Sequence, residues 1–132
     1  MDSPLLIVDT DILIDVSRHV EKAIVTLDRY FQSHFVAISV ITQLELMLGC
    51  KNKQEFENID EFLKRFEIID VTKSVSQTSV ALFKKFRLSH GVMIADMLIA
   101  ATALEYKSSL LSKNQKDFRF IDELNLIEYI AP

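Results

Sequence analysis

The chain has 132 residues, enough for one domain with a full core and too few for two. Its 49% hydrophobic and 26% charged residues are those of a globular protein and exclude a disordered one. A formal net charge of -4 excludes a broad basic field, so any contact with nucleic acid must rest on local patches and bound cations.

With only two glycines and two prolines, the loops must be short and the helices plentiful. The opening Met1-Asp2-Ser3-Pro4-Leu5 lacks the basic region of a secretory signal. Leu5 to Val8 reads as a short buried strand, ended by Asp9. From Ile12 to Phe31 the pattern is helical, and Phe35-Val36-Ala37-Ile38 is a second buried strand. Ser39 caps the helix that follows, with Gly49 as its stop. Phe56, Ile59, Leu63 and Phe66, with Phe62 beside them, mark an amphipathic helix, and Ile68-Ile69 a brief third strand. Val75, Ser79, Leu82, Phe83 and Phe86 form the stripe of a further helix that closes near Gly91. Ile94 to Tyr106 is apolar almost all round, as in a helix buried at the centre of a protein. Leu110-Leu111 is a fourth strand and Leu126 to Ile130 a fifth.

Continuous apolar strands alternating with helices predict a three-layer α/β/α sandwich around a parallel five-stranded sheet, residues 1–132 forming a single domain. Cys50 is the only cysteine and has no intrachain partner, which fits a reducing compartment. The longest apolar stretch is interrupted by Asp96 before it reaches membrane-spanning length. A cytoplasmic protein with no membrane contact is expected.

Four acids stand inside or against apolar runs: Asp9 after Leu5-Leu6-Ile7-Val8, Glu45 within Leu44-Glu45-Leu46-Met47-Leu48, Asp96 within Val92 to Ala101, and Asp117 before Phe118. A carboxylate removed from water is costly unless hydrogen bonds or a cation compensate it. Ligands of open parallel sheets bind beyond the carboxyl ends of the strands, where Asp9, Ser39 and Ser112 all fall. Unit charges about 5 Å apart repel by about 3 kcal/mol at an effective dielectric of about 20. Four gathered carboxylates therefore call for a shared cation, and an all-oxygen set suits Mg²⁺ or Mn²⁺ rather than Zn²⁺. His19, His34 and His90 have no pairing spacing, and Cys50 has no convincing histidine partner for thiol catalysis.

The motifs run in order as Ile7-Val8-Asp9-Thr10-Asp11, Ser39 to Leu46 with Gly49, Ala95-Asp96-Met97-Leu98-Ile99-Ala100-Ala101, and Leu111-Ser112-Lys113-Asn114-Gln115-Lys116-Asp117-Phe118. This order closely resembles the PIN-domain ribonucleases, specifically the VapC-type toxins of prokaryotic toxin–antitoxin pairs, over essentially the full chain. The resemblance implies a metal-dependent endoribonuclease whose metal-binding and catalytic acids are Asp9, Glu45, Asp96 and Asp117. Thr10, Asp11, Ser112 and Asn114 support them. Asp11 stands where many relatives have Asn, and Ser112 replaces the more usual Thr while keeping the hydroxyl. Relatives differ over whether the position of Asn114 or of Asp117 carries the last acid. The resemblance also implies a homodimer and a VapB-type antitoxin, with DNA bound only through that antitoxin.

Lys113, Lys116 and Arg119 lie around Asp117 as candidate RNA contacts or as a solvated face, and Lys84, Lys85, Arg87 and His90 form a similar patch. Each acid also has an ordinary structural use: Asp9 and Asp96 as helix caps, Glu45 reaching solvent. Asp9-Thr10-Asp11 is also similar to the opening of haloacid-dehalogenase-like phosphatases, in which the first Asp is a nucleophile. The residues after Asp11 and the lack of a late acidic pair fit that family poorly. A non-catalytic binding module retaining the fold is the remaining alternative.

Overall fold

The computed structural model describes residues 4–129. Five parallel strands form its sheet: β1 (Leu5–Val8), β2 (Phe35–Ser39), β3 (Glu67–Ile69), β4 (Ser109–Leu111) and β5 (Asn125–Ile127), in the spatial order β3-β2-β1-β4-β5. The chain lays β2 and β3 outward from one side of β1, then returns to build β4 and β5 on the other. The order therefore reverses between β1 and β4, and crevices open at the carboxyl ends of strands where such a reversal occurs.

Side chains alternate across β1, so Leu6 and Val8 enter one layer and Ile7 the other. The first layer packs α1 (Thr10–Ser17), α2 (Glu21–Ser33) and α4 (Lys53–Leu63) through Ile12, Leu13, Leu27 and Leu63. The second packs α5 (Lys73–His90) and α6 (Ile94–Glu105) through Val75, Leu82, Phe86, Met97 and Ile99. Between β2 and α4 runs α3 (Val40–Leu48), which sends Leu46 into the first layer and Ile41 against the second. The three-layer α/β/α sandwich expected from the alternation of apolar runs is the observed architecture. No helix among the described residues is long and apolar enough to cross a membrane.

Helix starts follow capping chemistry. Ser39 Oγ accepts from the Ile41 amide at 3.0 Å, Asn52 Oδ1 from that of Glu55 at 2.9 Å and Thr72 Oγ1 from that of Val75 at 3.1 Å. Gly91 ends α5 with φ 65°, a left-handed conformation that costs glycine little.

The fold sharpens three expectations. The helical pattern from Ile12 to Phe31 resolves into two helices, α1 and α2, separated by Arg18, His19 and Val20, with His19 at φ 61°. Both helices bury an apolar face in one layer, so the periodicity runs across the break unmarked. The helix expected to include Phe66 ends at Leu63, and Phe66 is buried beyond it. The fifth strand is Asn125–Ile127, and Ile130, its expected end, lies outside the described residues.

Candidate active site

The reversal between β1 and β4 brings Asp9 and Ser112 together, each the first residue after its strand. Asp9 is the N-cap of α1, and its Oδ1 accepts from the Thr10 amide at 2.8 Å. Its Oδ2 accepts from Ser112 Oγ at 2.7 Å. Only 5% of Asp9 is exposed, so both oxygens are oriented by the fold rather than by water. Ser112 Oγ in turn accepts from the Asn114 amide at 3.0 Å and lies 3.3 Å from Asp11 Oδ2. The capping role and the site role of Asp9 are thus the same geometry: a helix begins where a carboxylate is displayed.

Glu45 reaches the same place from the second turn of α3, where its Oε1 accepts from Thr10 Oγ1 at 2.6 Å. The Thr42 hydroxyl, fully buried, lies 3.1 Å from that of Thr10. Asp96 sits in the first turn of α6, where the helix dipole favours a carboxylate. Asp117 closes a 3₁₀ turn (Gln115–Asp117) and accepts from Asn114 Nδ2. Glu45, Asp96, Asn114 and Asp117 line one groove of about 670 Å³, together with Phe83, Arg87, Met93 and Ile94. Gln115 ties the floor of the site to the sheet by donating to the Ser112 and Ile127 carbonyls at 2.7 and 3.0 Å.

The acids carry the electrostatic signature of crowding. Burial pushes the Asp9 carboxyl up to about 7 from its ordinary 3.8, and the Asp11 charge adds to it. Asp96 also contributes to that rise, against the lowering by the Ser112 and Thr10 hydrogen bonds. Asp96 is raised to about 6 by burial and then by the charges of Asp117, Glu45 and Asp11. Asp11 is raised as well, chiefly by burial.

None of the acids expected at the site has a lysine or arginine to itself. The ion pairs among the described residues are Lys64–Glu61, Arg65–Asp28 and Lys113–Asp15. An all-oxygen donor set with uncompensated negative charge fits a divalent cation. Among the described residues no three acids already stand as a ready ligand set. Glu45 is drawn toward Thr10 and Asp117 toward Asn114.

The basic residues expected near Asp117 separate. Lys113 places its ammonium 2.7 Å from Asp15, and its amide faces Asp11, so it serves α1 rather than standing free. Arg119 lines a different groove with Tyr129 and Asn125, and Lys116 is exposed. Thr42 and Gln115 escaped the sequence reading. Thr42 had one legible signal, its position three residues before Glu45 on the same helical face.

Residues 6–124 match the sequence pattern of the PIN domain. The chain belongs to the PIN-domain family. Likenesses to individual proteins run over nearly its whole length. It is 27% identical over 126 residues to Ribonuclease VapC1 of Methanocaldococcus jannaschii, covering 94% of this chain and 86% of that protein. Among solved structures it superposes with a TM-score of 0.78 and 30% identity on the toxin-antitoxin complex from Klebsiella pneumoniae, over 96% of this chain and 97% of that one. VapBC2 from Rickettsia felis bound to a DNA fragment from their promoter gives a TM-score of 0.79 at 26% identity, over 96% and 99% of the two chains. These likenesses do not favour the phosphatase or the non-catalytic alternative.

Proposed function

We propose that this PIN-domain chain is a divalent-metal-dependent endoribonuclease, the toxin of a VapBC-type pair that hydrolyses RNA phosphodiesters. The observation that carries the reading is the gathering of Asp9, Glu45, Asp96 and Asp117 at the strand-order reversal, with no ion pair to any of them among the described residues. Mg²⁺, for which Mn²⁺ substitutes chemically, would be held by Asp9 and Asp96 with Glu45 and Asp117 beside them. When bound, it lowers the proton affinity of water for in-line attack on phosphorus and neutralises charge developing on the phosphate.

The chain's own residues do the rest. Ser112 and the Thr10 amide fix both Asp9 oxygens, so the carboxylate meets the cation already oriented. Thr10, backed by Thr42, holds Glu45 at the groove, and Asn114 does the same for Asp117. Among the described residues no histidine or lysine lines the groove to activate a ribose 2′-hydroxyl, so the products carry 5′-phosphate and 3′-hydroxyl ends. A VapB-type antitoxin supplies the partner, since an acidic groove suits a basic segment that orders on binding. DNA is reached only through that antitoxin, and two copies of the toxin form a homodimer.

Mapping RNA ends after induced expression tests the reading. The wild-type chain in Mg²⁺ should yield 5′-phosphate ends, and Asp96→Asn should lose cleavage while keeping a cooperative thermal transition. Full activity of Asp96→Asn in Mg²⁺, or wild-type cleavage undiminished by EDTA, overturns it.

A further inference from the structure

The acidic groove has one cation on its wall. Arg87, in the last turn of α5, lines it together with Asp96 and Asp117, and no other lysine or arginine does so among the described residues. Attraction alone would fold this guanidinium onto the acids, yet it makes no ion pair with them. It is held elsewhere: Nη1 donates to the main-chain oxygens of Gly91 at 3.3 Å and Val92 at 2.8 Å. Those acceptors exist because Gly91, at φ 65°, turns the chain sharply between α5 and α6. Of the five guanidinium N–H groups, those on Nη2 and Nε have no acceptor among the described residues.

An RNA strand crossing this groove meets a charge problem. A cation held by the acids neutralises the phosphate undergoing reaction, but the next phosphate along the strand still faces carboxylates. A planar, permanently charged fork beside the acids, held by the Gly91 and Val92 carbonyls instead, meets that need in the way arginine meets phosphate elsewhere. One helical turn earlier on α5, Phe83 lines both this groove and an adjoining apolar cleft of about 360 Å³. Arg87 lies over the Phe83 ring, 5.8 Å from its centroid. Val80, Ile94 and Leu98 complete a cleft wall that offers almost no polar surface. Aromatic side chains bind single-stranded nucleic acid by stacking its bases, with arginines beside them adding to the contact.

We infer that Arg87 is a substrate-positioning residue, taking the phosphate that flanks the scissile one while the attached base lies on Phe83 at the mouth of the α5–α6 cleft. This rests on the ribonuclease reading and adds to it the path of the strand. Substrate reaches the acids along the carboxyl-terminal end of α5.

The test uses the full chain, Mg²⁺ and a fluorescein-labelled single-stranded RNA 20-mer of randomised sequence. Arg87→Gln keeps an amide donor for the Gly91 and Val92 carbonyls and removes the charge. It should raise KM about tenfold and reduce the steepness of log(kcat/KM) against log salt by about 0.7 to 1. Arg87→Lys should keep the salt slope and recover part of the KM, and Phe83→Leu should raise KM with the slope unchanged. The Mg²⁺-induced rise in melting temperature should stay as in the wild type for all three. A purely structural role would lower the melting temperature and leave the salt slope alone. Wild-type KM and slope in Arg87→Gln, alongside active wild type and inactive Asp96→Asn, overturns the Arg87 assignment and spares the nuclease. No cleavage by the wild type overturns both.

Discussion

Asp9→Asn removes the charge of the most deeply placed carboxylate while nearly preserving its shape. In the metal-free chain, burial and the Asp11 charge lift this carboxyl to about 7, against 3.8 in an unfolded chain. Below about pH 4 the group is neutral in both states and costs folding nothing. Between pH 4 and 7 the unfolded chain loses its proton first, so a penalty against folding grows with pH. Above about pH 7 it is complete, and a rise of about three pH units corresponds to about 4 kcal/mol.

Asparagine escapes that penalty but offers one acceptor oxygen where aspartate offered two. Either Ser112 Oγ–H or the Thr10 amide then loses its acceptor, at a cost of about 1–3 kcal/mol. The variant in EDTA at pH 8 should therefore exceed the wild type by about 1–3 kcal/mol, or about 4 °C in melting temperature for each kcal/mol. At pH 4 that penalty is absent and only the lost acceptor remains, so the variant should fall below the wild type by about 1–3 kcal/mol. In excess Mg²⁺ at pH 8 the order should reverse, because only the wild type gains the free energy of binding the ion. Thermal unfolding by circular dichroism at pH 4, 6 and 8, with EDTA or Mg²⁺, measures all of this. A variant that is less stable than wild type at pH 8 in EDTA, by an amount independent of pH, would refute the reasoning.

Ser112→Ala removes the donor to Asp9 and the acceptor of the Asn114 amide. Cleavage at limiting Mg²⁺ should fall about 10- to 100-fold, as for other groups that orient a metal ligand, with partial recovery on raising Mg²⁺. Gly91→Ala meets nothing within 4 Å of its added Cβ, so its cost is the left-handed backbone alone, about 1 kcal/mol in thermal unfolding. If the Gly91 turn also seats Arg87, as the two carbonyl bonds indicate, Gly91→Ala should raise KM for RNA as well.

The sequence carried the sheet because its strands are buried on both faces and therefore apolar without interruption. Leu5 to Val8 and Phe35 to Ile38 could be read directly. The acids were legible for the complementary reason: a carboxylate inside such a run has no packing use. The break at His19 was not, since Arg18, His19 and Val20 include neither glycine nor proline and the apolar phase of α1 continues into α2. Long-range pairings were equally hidden. Nothing local to Lys113 indicates that its ammonium rests on Asp15, and nothing local to Arg87 indicates that the α5–α6 turn holds it beside the groove. Thr42 lay between the two, its spacing from Glu45 visible and its hydroxyl partner, Thr10, not.

The bond from Ser112 to Asp9 joins residues 103 apart in the sequence, across the boundary between β1 and β4. During synthesis, β1 and the Asp9 loop precede β2, their partner on one side. The hydroxyl that sets the Asp9 carboxylate, and the turn that carries Asp117, emerge about a hundred residues later. A chain that stops before Ser112 lacks the donor that orients Asp9 and the turn that carries Asp117. The complete acidic site is thereby withheld until β4 and the turn beyond it have been made.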